Sequence, residues 1–263
     1  MTDALLIRHD AGSIARLTLN APQSLNALSD AMLAALAAEF TALATDATIR
    51  VVILQGAGKA FCAGHHLREM QAGRAHADQG RGYFADLFKR CAAVMQMIPA
   101  LPQPVIAQVH GIATAAGCQL VAACDLAVAA TDTKFGVNGV NIGLFCSTPM
   151  VALTRNVPRK AAFEMLTTGQ FITAARATEL GLINRHVPHD ALEATTQTLA
   201  ETIAAKLGQA VKIGKAAFYD QINLPLDQAY AHTAAVMVEN MLWRDTDEGI
   251  TAFLEKRKPN WTN

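Results

Sequence analysis

Two adjacent histidines, His65 and His66, stand in a glycine-containing loop, Phe61-Cys-Ala-Gly-His-His-Leu67. A hydroxyl that attacks an acyl group needs a base beside it, and these two histidines are the nearest candidates to activate Ser147. The competing role for Ser147 is structural. Ser147-Thr-Pro149 opens a helical run, where serine caps the first turn and proline fits the first helical position. Gln119 sits in the turn Gly117-Cys-Gln-Leu120. Its amide orients water but does not exchange a proton near neutral pH. The five cysteines, at positions 62, 91, 118, 124 and 146, form no CxxC pair and are odd in number, which reads as reduced, buried thiols. Cys118 and Cys124 lie six apart without partner ligands, so no metal site is expected.

These groups need elements to hold them. Leu5 to His9 and Ile14 to Asn20 read as strands around a hairpin turn at Asp10-Ala-Gly-Ser13, with Ala15, Leu17 and Leu19 on the buried face. Ser29 is the expected cap of an Ala/Leu-rich helix from Asp30 to about Leu43. Arg50 to Gln55 reads as a buried strand ended by Gly56-Ala-Gly58. Residues 71–82 read as a loop, Tyr83 to Ile98 as a helix stopped by prolines, and Val105 to Val109 as a strand. Thr114 to Ala123 reads as a short helix and Asp125 to Ala130 as a strand, with Asp125 starting it. The recurrence of strand, strand and helix predicts an α/β core of stacked turns. From Asp190 to Lys258 the pattern is helical, with Pro225 at a first helical position.

The chain of 263 residues has zero formal net charge, 52% apolar and 17% charged residues. Neutral charge points away from nucleic acid and from a membrane surface. No apolar run reaches membrane-spanning length. High apolar content argues for buried subunit interfaces. The first ten residues read as neither a signal nor a transit peptide, so a cytoplasmic location is expected.

Several blocks together resemble the crotonase superfamily, the enoyl-CoA hydratase/isomerase group, and within it the hydratase-domain-containing branch. They are Ala60 to Met70, Pro104 to Asp125 including His110-Gly-Ile-Ala-Thr-Ala-Ala-Gly, Phe135-Gly136 with Gly143, Asn141 to Pro149, Arg159 to Gly169, Ala174 to Leu182, and Gly249 to Pro259. The resemblance implies an α/β crotonase-like spiral of ββα turns over residues 1–190 and a helical C-terminal trimerisation region over 191–263. It implies an acyl-CoA thioester as partner and a homotrimer or dimer of trimers. It also implies a lyase-type role in fatty acid metabolism, with coenzyme A as part of the substrate and no further cofactor.

By motif position, the resemblance implies an oxyanion hole made by the backbone N–H groups of His65 and Ala116. Fixed donors of this kind stabilise the enolate formed from a thioester. Ala116 replaces the usual glycine. Hydration relies on two glutamates in this superfamily, and the matching positions here are Gln119 and Gly139. Each well-placed general acid or base contributes about 10²–10⁴-fold, so ordinary hydration is expected to be nearly abolished. Restoring both carboxylates, Gln119→Glu with Gly139→Glu, is expected to raise it. Glu69 and Asp86 are the nearby carboxylates whose reach into the site the sequence leaves open. Ser147 matches the nucleophilic aspartate of the dehalogenases. The Gly64-His65 pair resembles malonyl-type acyl-CoA decarboxylases, whose chemistry needs only a stabilised enolate, but Cys146 stands at the position of their tyrosine. A non-catalytic acyl-CoA binding role is the third alternative. Coenzyme A contacts are implied for Ala63, His66 and Arg68, and for Phe253 and Lys256 at the adenosine end. His110 stands where asparagine is common and reads as structural.

Overall fold

The computed structural model describes residues 4–262. The chain runs β1 (Leu6–Ala11), β2 (Ile14–Leu19), α1 (Asp30–Thr45), β3 (Val51–Gly56), α2 (Leu67–Gly73), α3 (Arg81–Ala100), β4 (Val105–Val109), β5 (Ile112–Thr114), α4 (Ala116–Ala123), β6 (Leu126–Ala130) and β7 (Lys134–Gly136). It continues with α5 (Pro149–Asn156), α6 (Arg159–Thr168), β8 (Ile172–Thr173), α7 (Ala174–Glu179), β9 (Arg185–Val187), α8 (Leu192–Ala204), α9 (Gly208–Gln221), α10 (Leu226–Met241) and α11 (Arg244–Leu254). The larger sheet has the order β1-β2-β3-β4-β6-β9, and the smaller one β5-β7-β8. Only the β1–β2 pair of the larger sheet is antiparallel. The mixed α/β spiral expected from the sequence is the observed architecture.

Side-chain pattern explains the layers. Val51 to Leu54 of β3 are all fully buried because the sheet is covered on both faces, which is why this strand is a continuous apolar run. Val52 and Leu54 join Leu17 and Leu19 in the main core with α1 and α3, while Val51 and Ile53 pack beneath Leu192 and Ala200 of α8. Helix α8 therefore follows residue 190 in sequence yet belongs to the packing of the sheet. Arg16 on that second face donates to Gln55, Gln108 and Gln197 at 2.9, 2.9 and 3.0 Å, tying β2, β3 and β4 to α8. Ser29 caps α1 as expected, its hydroxyl accepting the Met32 N–H at 3.1 Å.

Several local expectations change. Helix α3 begins at Arg81, because the Asp78 carboxylate accepts the Gly80 and Gly82 N–H groups at 3.0 and 2.8 Å. It runs past Pro99 to Ala100, although the proline has no N–H to give the Met95 carbonyl one turn back. Thr114 ends β5, so α4 starts only at Ala116. Pro225 stands one residue before α10, with extended ψ of 147°, rather than inside its first turn. Thr148 occupies the cap of α5, not Ser147, because the fixed φ of Pro149 at the first helical position sets the boundary one residue later.

One buried cluster clamps the C-terminal helices to the core. Asp125 accepts the Val105 N–H at 2.6 Å, the Lys215 ammonium at 2.7 Å and the Tyr219 hydroxyl at 2.8 Å. Lys215 also donates to the carbonyls of Ile98 and Gln103 at 2.8 and 2.9 Å. Burial pulls the Lys215 pKa below its ordinary value, outweighing the attraction of Asp125. The residue expected to start β6 also fastens α9 to the corner between α3 and β4.

Candidate active site

Two loops meet at the N-terminus of α4. The first, residues 61–66, is held on one side by Leu28. The Leu28 N–H donates to the Gly64 carbonyl at 2.7 Å, and the His66 N–H donates to the Leu28 carbonyl at 3.4 Å. In this parallel bridge residues 64 and 66 face Leu28, so the His65 N–H points to the other side. Buried Asn26 fixes Leu28 in place. Its amide accepts from the Ala21 N–H at 2.9 Å and donates to the carbonyls of Ala57 and Ala60 at 2.8 Å each.

The second loop presses against the first. The Cys62 N–H donates to the Ile112 carbonyl at 3.2 Å, and the Thr114 N–H to the Cys62 carbonyl at 3.0 Å. A Cβ on Gly64 would lie 3.0 Å from the Ala115 methyl and 3.3 Å from the Ala116 nitrogen, and one on Gly117 would lie 2.1 Å from the Cys62 carbonyl oxygen. Only glycine permits this approach. Ala115 adopts φ 50° and ψ −119°, a glycine-favouring conformation that costs about 1–3 kcal/mol for alanine. Its N–H donates to the Gly136 carbonyl at 2.9 Å, and its carbonyl accepts the first helical bond, from Gln119. The Ala116 N–H is thus a free first-turn donor of α4, whose dipole favours negative charge there. Neither the His65 nor the Ala116 N–H has a hydrogen-bond acceptor among the described residues. Two unpaired amides on touching loops suit an anionic oxygen.

Gln119 follows one turn along α4. It is 4% exposed, and its amide oxygen has no hydrogen-bond partner among the described residues. Gly139 is closed to any side chain. A Cβ there would lie 2.2 Å from the Leu144 carbonyl oxygen and 2.9 Å from the Cys146 sulfur. The Gly139 N–H donates to that sulfur at 3.3 Å, and the Leu144 N–H to the Gly139 carbonyl at 2.9 Å. The loop itself fills the space a glutamate would need, so adding Glu at position 139 displaces backbone rather than restoring an acid. That space conflict argues against the expected gain from the double substitution.

The nearby carboxylates are engaged elsewhere. Glu69 accepts the Asp30 N–H at 2.9 Å, and Asp86 accepts from the Arg90 guanidinium at 2.6 Å. Arg90 also reaches Asp30 at 2.7 Å, and these carboxylates raise its pKa further. His66 is the cap of α2, its Nδ1 accepting the Glu69 N–H at 3.4 Å. Ser147 is exposed and its hydroxyl meets only the Phe145 carbonyl, at 3.5 Å, so no histidine activates it among the described residues. His110 is structural as expected, its Nε2 lying 2.9 Å from the Gly58 carbonyl oxygen.

The His65 ring is different. It lies edge-on to Phe88 of α3, centroids 5.7 Å apart, and both ring nitrogens are buried without a partner among the described residues. Burial lowers its pKa from 6.5, against smaller upward pulls from the Leu28 backbone and Asp30.

A cleft of about 580 Å³ opens beside this loop. Ala63, His65, His66 and Arg68 line it, together with Gln23, Ser24 and Ser29. Phe253 and Lys256 do not. Phe253 is 82% exposed at the end of α11, and Lys256 is exposed just beyond it. The five thiols are buried and free, and burial pushes those of Cys62, Cys91 and Cys118 up to about 12. Asn26 and the strained Ala115 escape a sequence reading. The only trace of either is the tolerance of asparagine for positive φ, which Asn26 adopts at 53°.

The profile of the enoyl-CoA hydratase/isomerase family matches residues 9–263. The chain is 46% identical over 250 residues to the human protein named enoyl-CoA hydratase domain-containing protein 3, mitochondrial, covering 95% of this chain and 81% of that one. The Xenopus laevis protein of the same name is 44% identical over 259 residues, covering 98% and 86%. The crystal structure of an enoyl-CoA hydratase from Mycobacterium smegmatis superposes with a TM-score of 0.95 at 54% identity, covering 98% of this chain and 99% of that one. The mitochondrial names overturn the expected cytoplasmic location. An organellar address resides in a removable leader, so the composition of a folded body does not report it.

Proposed function

The chain belongs to the enoyl-CoA hydratase/isomerase family, and on that premise we propose that it binds an acyl-CoA thioester and polarises its carbonyl without being an efficient hydratase. Members of the family bind acyl-CoA thioesters. The observation that carries the reading is the pair of amides, His65 and Ala116, unpaired among the described residues and on two loops held in contact. A thioester oxygen accepting both is stabilised most as it becomes an enolate. The proton-exchanging half of hydration has no equivalent carboxylate. Gln119 orients a water or the acyl group, and position 139 admits no side chain.

Ala63, His66 and Arg68 line the cleft that takes the coenzyme A moiety, with the Arg68 guanidinium meeting a phosphate. Phe253 and Lys256 serve the adenosine end across a subunit boundary. The assembly is a homotrimer or dimer of trimers. Its support is the exposed apolar side chains on α10, on α11 and in the turn between them, with Leu226 75%, Phe253 82% and Leu242 76% exposed.

The test is a mass-spectrometric panel of 2-enoyl, malonyl, methylmalonyl and ethylmalonyl thioesters, with binding measured in parallel. The expected result is binding with hydration at least about 10²-fold below an enzyme that carries both glutamates. Rapid water addition would overturn the reading, and loss of carbon dioxide would establish the decarboxylase chemistry instead.

A further inference from the structure

Ala115 is held in a conformation that its side chain disfavours, with φ 50° and ψ −119°. Strain of this kind persists only where the surroundings fix it. The angle that matters is ψ, because it sets the plane of the Ala115–Ala116 peptide and hence the direction of the Ala116 N–H. Relaxation into the ordinary left-handed region, with ψ of about +30 to +60°, would turn that plane nearly halfway round and put a carbonyl oxygen where the donor is. Three backbone bonds brace the turn. The Thr114 N–H donates to the Cys62 carbonyl at 3.0 Å, the Ala115 N–H to the Gly136 carbonyl at 2.9 Å, and the Gln119 N–H to the Ala115 carbonyl at 3.0 Å. A fourth bond joins side chains. The hydroxyl of buried Thr114 donates to the amide oxygen of half-buried Asn138 at 2.6 Å. Among the described residues it is the only hydrogen bond involving a side chain at residues 111–117. Asn138 opens a 3₁₀ turn, Asn138–Ile142, that is anchored away from the two loops. The Gly139 N–H donates to the Cys146 sulfur at 3.3 Å, the Leu144 N–H to the Gly139 carbonyl at 2.9 Å, and the Asn141 amide to the Gly169 carbonyl at 3.2 Å.

We propose that Asn138 is a positioning residue: through the Thr114 hydroxyl it holds the Ala115 turn so that the Ala116 N–H faces the thioester oxygen. This inference rests on the acyl-CoA reading of the site. Asn138 acts on Thr114 and not on the thioester itself. The residue types suit the task. Threonine is branched at Cβ and stiff at χ1, so a bond to its hydroxyl constrains the backbone that carries it. The partner amide sits on a turn fixed by three other bonds, so it does not follow when Thr114 moves. Loss of either partner leaves the backbone bonds that set the course of the chain. The fold therefore survives, while the strained peptide plane gains freedom to rotate and the donor loses its aim.

The experiment records the carbon-13 resonance of butyryl-CoA labelled at the thioester carbonyl, bound to wild type, Thr114→Val, Asn138→Ala, the double variant and Thr114→Ser. Binding is measured for each by calorimetry and folding by thermal denaturation. The expected result is a downfield shift on wild type, produced by two donors. Thr114→Val and Asn138→Ala each lose about half of that shift, the share of one donor, while binding persists. The double variant loses no more than either single one, because both remove the same bond. Thr114→Ser keeps the hydroxyl and retains the shift, which a loss of packing alone does not explain. A full shift in either folded, binding single variant overturns the role of Asn138 and leaves the acyl-CoA reading intact. Loss of the shift in Thr114→Ser as complete as in Thr114→Val also overturns it. Failure of wild type to bind the thioester, or an unmoved carbonyl in its complex, overturns both.

Discussion

Two buried polar regions of this molecule differ in whether their hydrogen bonds close. Around Asp125, one carboxylate takes a backbone N–H, an ammonium and a phenol, and the ammonium completes its set on two carbonyls. Around His65 and Gln119, two backbone donors, an amide oxygen and both imidazole nitrogens have no partner among the described residues. A closed network has its complement inside the chain and holds α9 to the core. An open one has its complement elsewhere, and in the proposed reading that complement is an acyl thioester. The strained φ of Ala115 lies at the open region, where strain is tolerated to aim a donor.

The contrast is broken most severely by deleting the centre of the closed network. Asp125→Leu leaves the Lys215 ammonium buried beside carbonyls alone and is expected to cost about 3–5 kcal/mol in chemical denaturation. Gln119→Leu removes a group that satisfies nothing internally, and is expected to change stability by less than about 1 kcal/mol while weakening thioester binding. Equal losses in the two variants would erase the distinction between the regions.

Gly139→Glu is intermediate. Its Cβ meets the Leu144 carbonyl, so a loss of about 1–3 kcal/mol is expected, with no gain in crotonyl-CoA hydration. Gln119→Glu alone, which needs no new space along the chain, is the substitution expected to raise hydration, by about 10²-fold. A stable, more active Gly139→Glu protein would show that the 143–146 loop yields readily.

The smallest effect is a pH dependence. The folded chain holds His65 below its ordinary 6.5, whereas the unfolded chain takes up the proton near that value. Its contribution is therefore fully present above pH 6.5 and is lost as pH falls from there through the lowered folded value. Denaturation midpoints from pH 7.5 down to 5 should fall less steeply for His65→Phe than for wild type. Parallel slopes would mean that the ring titrates normally.

Much of the scaffold is legible in the sequence because local chemistry dictates it. The alternation of Ala15, Leu17 and Leu19, the Ser29 cap and the apolar run from Val51 each follow from one short window. The two touching loops are legible only through the resemblance of their motifs. What stays hidden is set by distant partners. An amphipathic helix such as α8 has the same periodicity whether it covers a sheet or another helix. Lys215 looks like a surface lysine until Asp125, 90 residues away, is beside it. Gly139 reads as a vacant position and is in fact a filled one, because Leu144 comes back over it. Ser147 illustrates the converse, since Pro149 moves the helix start by one residue and leaves the hydroxyl outside it.

The most direct test of the central claim is the carbon-13 spectrum of crotonyl-CoA labelled at the thioester carbonyl, recorded with stoichiometric protein. The account predicts a bound resonance shifted downfield by the two amide donors, persisting over hours without conversion to the 3-hydroxy product. Either rapid appearance of that product or a carbonyl resonance unmoved in a bound complex would contradict it.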